Sequence, residues 1–125
     1  MENLITALGL INNYEVFIAI CIGSFAGIIF GAIPGLTYSM ALALMLPFTF
    51  TMQPVTGISL LLATYIGGMT GGSISAILIG IPGTPSAAAT VSDGYSLSKK
   101  GDASIALGTA VIVSTIGGLI SLSLM

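Results

Sequence analysis

The chain has 125 residues and a formal net charge of −2; 55% of it is apolar and only 5% is charged, with a mean hydropathy of +1.14. A soluble domain carries about a quarter charged residues, so that class is excluded. With no His, no Trp and no paired acids, metal hydrolysis and acid–base catalysis lack side chains: no enzyme activity, bound metal, cofactor or nucleic-acid partner is expected, and the lipid bilayer is the expected surroundings.

Residues 1–13 place Leu4, Ile5, Leu8 and Ile11 at helical spacing, too short to cross and therefore read as an interfacial helix. No basic segment precedes the first apolar run, which argues against a cleaved signal peptide. Residues 16–33 are continuously apolar and cover roughly 27 Å as a helix, one hydrocarbon thickness. Cys21 stands alone inside this run and has no disulfide partner. Residues 36–50 reach only about 22 Å and contain Pro47, which predicts a short, kinked or re-entrant element. Residues 55–81 would run about 40 Å, too long for an upright span, so a tilt or break is expected at the glycine cluster Gly67-Gly68-Met69-Thr70-Gly71-Gly72. Residues 86–92 suit a short helix with Ser86 near its N-cap. Residues 93–102 form the only strongly polar loop, and 104–125 are another full-length apolar helix that ends without polar residues. Lys99 and Lys100 beside that helix place the loop in the cytoplasm by the positive-inside rule.

No charged side chain lies between Glu15 and Asp93, and two Ile-Pro-Gly turns interrupt that stretch, Ile33-Pro34-Gly35 and Ile81-Pro82-Gly83. Proline removes a helical hydrogen bond, and in hydrocarbon the freed groups must be covered by protein or a wet cavity. Residues 82–85 are therefore expected to be non-helical, with helices on both sides. Pro34 cannot donate to the Phe30 carbonyl, Pro82 to Leu78 or Pro85 to Ile81, which leaves acceptors for a cation, water or another helix. An ordinary covered proline kink is the plainer alternative. Gly23, Gly27 and Gly31 form small-xxx-small steps, as do Gly67/Gly71 and Gly68/Gly72, and close helix packing is their first explanation. The second cluster runs on into Ser73 and Ser75 and then into the break, where packing and polar surface coincide. After the break at Pro82, Gly83 and Pro85, the hydroxyls of Thr84, Ser86 and Thr90 and the free N–H groups expected at the start of the following short helix suit a carboxylate ligand. Against this, Ser86 can be a simple cap and Thr90 can bond back to its own backbone. Asp93 reads first as a helix end at the interface and second as an ion or proton ligand.

The stretch YIGGMTGGSISAILIGIPGTPSAAATVSDGYSLSKKGD over 65–102, preceded by GAIPGLT over 31–37, resembles the large membrane subunit of the tripartite tricarboxylate transporters, the TctA family. Pro34-Gly35, the cluster 67–72, Ser73, Pro82-Gly83-Thr84-Pro85 and Asp93-Gly94-Tyr95 match the family signature. Gly80 stands where Asn is frequent, Ser96 where Pro is frequent, and Thr84 where the family also uses Glu. The resemblance implies a secondary transporter of about a dozen helices in the bacterial cytoplasmic (inner) membrane. It also implies a small membrane subunit and a periplasmic solute-binding protein as partners, a carboxylate substrate and a coupling cation such as Na+ or H+. The expected architecture is an all-α polytopic membrane protein with helices interrupted by Pro-Gly breaks and re-entrant or discontinuous elements. The chain reads as one membrane domain over 1–125, the N-terminal part of a larger permease working by cation-coupled alternating access. A channel-like pore and a non-transporting membrane scaffold are the rival readings; saturable, gradient-driven uptake separates the first, and indifference of transport to Ser or Thr replacement near Pro82 would favour the second.

Overall fold

The computed structural model describes every residue from 1 to 125, and the architecture is all α, without a strand. Helices α1 (Glu2–Ile11), α2 (Tyr14–Ala32), α3 (Tyr38–Thr49) and α4 (Pro54–Ile79) are followed by a composite segment. It consists of a 3₁₀ turn Pro85–Ala87, α5 (Ala88–Thr90), a π turn Val91–Tyr95 and α6 (Ser96–Lys99), and α7 (Ala103–Leu124) comes last. By length and composition α2, α4 and α7 can cross a membrane. Helix α1 buries none of its residues.

The centre of the fold is α2 laid along α4. Gly23 meets Leu60, Ala63 and Thr64, Gly27 meets Thr64 and Gly68, and Gly31 meets Gly68. The two sets of numbers rise together, so the helices run parallel. A Cβ on Gly27 would fall 2.8 Å from the Gly68 nitrogen, and one on Gly71 2.9 Å from the Ala32 nitrogen. The helices thus touch backbone to backbone, which yields van der Waals contact that lipid tails cannot match. Large apolar side chains such as Phe17, Phe25, Ile66 and Leu119 point outward, as expected where the solvent is hydrocarbon. Helix α3 returns antiparallel, with Tyr38 against Gly68 near its start and Thr49 against Gly57 at its end. Its 12 residues reach roughly 18 Å, and it ends at the level where α2 began. The Tyr38 and Tyr65 rings pack edge to face with centroids 5.2 Å apart.

Three expectations are corrected: the break, as opposed to a tilt, at the glycine cluster, the helix at 86–92 and the loop at 93–102. Helix α4 runs unbroken for 26 residues through the glycine cluster. Each glycine weakens an isolated helix by about 1 kcal/mol, but Gly67 and Gly71 seat on α2 while Gly68 and Gly72 seat on Tyr38 and Thr84, and this packing offsets the local cost. The helix expected at 86–92 and the loop at 93–102 are redrawn as well, because helical turns continue to Lys99. The π turn seats Gly94 on Ile77 and lays the Tyr95 ring against Gly80. The Lys99 ammonium then sits 4.9 Å from the Tyr95 ring centre, a cation–π contact that ties the last turn down.

Candidate functional site

Helix α4 stops at Ile79, where Gly80 adopts φ 76° and donates its N–H to the Ala76 carbonyl at 3.2 Å. Only glycine, or asparagine with some strain, takes that left-handed conformation readily. Residues 80–84 are non-helical and fold back along α4, so the break expected over 82–85 begins two residues earlier and ends before Pro85, which opens a 3₁₀ turn. Gly83 lies against Gly72, the Ser75 hydroxyl and the Gly31 carbonyl, and Thr84 lies against Gly72. Ser86 reaches further down, its Oγ 3.3 Å from Met69 Sδ. The chain then climbs again, with Gly94 beside Ile77 and Tyr95 beside Gly80. Moving from the level of residue 80 to that of 69–72 corresponds to roughly 12–16 Å along a helix. The result is a re-entrant turn with its tip, Thr84-Pro85-Ser86, just past the midpoint of α4. The last turn of α2 lies at the same depth, since the Gly31 carbonyl faces Gly83.

Thr84, not Ser86, occupies the N-cap position, and its side chain makes no capping bond. This corrects the expected cap: Pro85 holds the first helical position and drives the preceding residue into extended backbone, φ −129° and ψ 151°. The Thr84 side chain is 1% exposed, and its Oγ1 shares a hydrogen bond with Ser86 Oγ at 3.1 Å. Ser75 is also buried and donates to the Gly72 carbonyl at 3.0 Å. Ser73, half-buried, faces away from Ser75 into a groove between α4, the tip and α7.

That groove encloses about 460 Å³ and is lined by Ser73 and Ser86 together with Tyr65, Thr70, Ser114 and Thr115. A second groove of about 480 Å³ continues along the same seam past Thr90, Asp93 and Thr109. Asp93 is exposed on the π turn and lines the second groove, not the tip groove. No backbone donor reaches the carbonyls of Phe30, Leu78 or Ile81. Leu78 and Ile81 are exposed at the outer end of α4, and Pro34 and Gly35 are exposed at the first break. The structure thus gathers Ser73, Ser75, Pro82, Gly83, Thr84, Pro85 and Ser86 around one tip and leaves Leu78, Ile81, Pro34, Gly35 and Asp93 outside it. Of the groove residues that sequence reasoning passed over, Thr70 was findable, lying one turn before Ser73 on the same helix face. Tyr65, Thr109, Ser114 and Thr115 carry no local signal.

No charged side chain lines the tip groove, and no three His, Cys, Asp or Glu residues come together. Its chemistry is that of neutral hydroxyls on one side of the tip, with carbonyl and hydroxyl oxygens of Gly31, Ser75 and Thr84 buried on the other. Residues 17–125 match the family described as the tripartite tricarboxylate transporter TctA family. Over 116 residues, 93% of the chain, the sequence is 39% identical to an uncharacterized 52.8 kDa protein of Agrobacterium vitis, named for its place in the TAR-I ttuC' 3' region. The chain spans 22% of that relative's length. No solved structure matches. A family match across nearly all of the chain, with spans and glycine packing suited to lipid, makes this a multi-pass membrane protein that belongs to the TctA family.

Proposed function

We propose that this chain forms part of a membrane permease subunit that takes up tricarboxylates or related carboxylates by cation-coupled alternating access. In that reading it lies in the bacterial cytoplasmic (inner) membrane, works with a small membrane subunit, and receives substrate from a periplasmic solute-binding protein. The observation that carries the proposal is the re-entrant turn, whose tip opens a hydroxyl-lined groove partway down a membrane-spanning helix. Irregular backbone at that depth is tolerated where it lines a site, and many secondary transporters bind substrate there. Substrate carboxylates would accept hydrogen bonds from hydroxyls on the groove side of the tip. A coupling Na+ would use the oxygens of Gly31, Ser75 and Thr84 on its buried side, since hard metal cations take carbonyl and hydroxyl oxygen ligands, whereas coupling to H+ would need a titratable side chain elsewhere in the full-length protein. Cation and carboxylate would then lie on opposite faces of one short segment, each favouring the other electrostatically in a low-dielectric setting. That mutual preference is how a gradient of one can drive the other.

The test is initial-rate uptake of radiolabelled citrate by the full-length carrier at matched membrane expression. Ser86→Ala removes a hydroxyl from the tip, and losing one hydrogen bond to a charged ligand costs about 1.5–3 kcal/mol, so KM should rise on the order of ten-fold. Ser121→Ala and Ser123→Ala, on the far half of α7, should leave KM unchanged. A wild-type KM for Ser86→Ala would remove the tip from the substrate path.

A further inference from the structure

The hydroxyls around the tip groove are not equivalent as proton donors. Thr70, Ser73 and Thr115 donate to carbonyls one turn back on their own helices, at 3.0, 3.3 and 2.8 Å. The Ser86 hydroxyl rests on Thr84 and on the Met69 thioether, a weak acceptor that a carboxylate can displace. Ser114 and Tyr65 make no side-chain hydrogen bond, and both are exposed at the groove. A carboxylate accepts and cannot donate, so an incoming one needs protons that are not already committed. Tyr65 is held in orientation by Tyr38, edge to face across 5.2 Å. Ser114 stands opposite the tip on α7, and with Ser73 it lines both grooves of the seam.

We infer that Ser114 contacts the carboxylate substrate and that α7, an otherwise uniform apolar helix, supplies one wall of the binding site with the Tyr65 phenol as second free donor. The inference rests on the reading of the tip groove as a carboxylate site. A hydrocarbon occupant fits the seam poorly. Six of its lining side chains, from Tyr65 to Thr115, carry hydroxyls, and covering the two free ones with apolar groups costs on the order of 1–3 kcal/mol each. The groove bounded by Leu42, Ala43, Leu46, Leu61, Leu62 and Tyr65 shows what a lipid- or helix-facing surface of this chain looks like by contrast.

The test uses the full-length carrier in a Cys21→Ala background, with cysteine placed at Ser114, Ser86 or Ser121. Each variant reacts with a charged methanethiosulfonate reagent in vesicles with and without citrate. Both Ser114→Cys and Ser86→Cys should be labelled, and citrate should slow both several-fold while leaving Ser121→Cys unchanged. In parallel, Ser114→Ala should raise KM for citrate on the order of ten-fold, and Ser114→Thr, which keeps the hydroxyl, should recover most of the loss. Protection of Ser86→Cys alone, or failure of Ser114→Cys to react at all, would overturn the role of α7 and leave the tip reading standing. Absence of citrate protection at both positions, or of carboxylate uptake by the parent carrier, would overturn both.

Discussion

A methyl group added at residue 31 would collide with the Gly68 carbonyl, whose carbon would lie only 2.8 Å from the new Cβ. Backbone cannot give way as a flexible side chain does, so Gly31→Ala must push α2 and α4 apart and break the contact that positions Gly83. Overpacking of this kind costs typically about 1–3 kcal/mol. The expected outcome is a clear fall in thermal stability of the purified full-length protein in detergent, whereas Gly9→Ala, with nothing within 4 Å, should leave it unchanged. Equal stability of the two variants would contradict backbone contact between α2 and α4. Thr84 acts by the same rule: its side chain fills the space that Gly72 leaves, and its hydroxyl orients Ser86. Thr84 thus helps to place the tip, and Ser86 is the residue of the pair that faces the groove.

The re-entrant turn shows how local rules and tertiary contacts divide the work. Pro82 and Pro85 had to interrupt a helix whatever surrounded them, so the break was readable from residue types alone. Its direction was not, because it depends on Gly31, Gly72 and Ser75 offering a shallow seat for Gly83, and a seat made of three separate positions leaves no local trace. The glycine cluster misled for the same reason: glycine's helix cost is local, but the packing that offsets it comes from α2, some forty residues earlier. Ser73 and Ser75 were equivalent in the sequence, yet two residues on a helix face nearly opposite ways, and only Ser73 reaches the groove. At this scale the fold-back predicts proximity of Ser86 and Met69. Met69→Cys with Ser86→Cys should be joined rapidly by a short bifunctional thiol reagent, while Met69→Cys with Ser96→Cys should not. Cross-linking only in the second pair would mean that the segment continues outward from Gly80 and does not return.

Taken as a molecule, the chain has two ends that its packing separates clearly. Because α2 and α4 are parallel and start together, Asn12, Asn13 and the turn at 51–53 lie at one end. Gly80, Tyr95 and the loop at 100–102 lie at the other. Lys99 and Lys100 are the chain's basic residues, and both belong to the second end. Lysines flanking a span are retained on the cytoplasmic side, so the tip is expected to enter the membrane from the cytoplasmic face, with the seam past Asp93 leading toward it. This orientation is open to direct measurement in right-side-out and inverted vesicles, using Gln53→Cys and Ser98→Cys in a Cys21→Ala background. A membrane-impermeant maleimide should label Gln53→Cys in right-side-out vesicles and Ser98→Cys in inverted ones. The opposite pattern would invert the topology and move the tip's entrance to the periplasmic face. Labelling of both positions from one side would be more damaging, because α4 separates them by its full length of 26 residues, about 39 Å along the helix. Such a result would mean that α4 lies along the membrane surface, and a groove at its midpoint would then have no bilayer to cross.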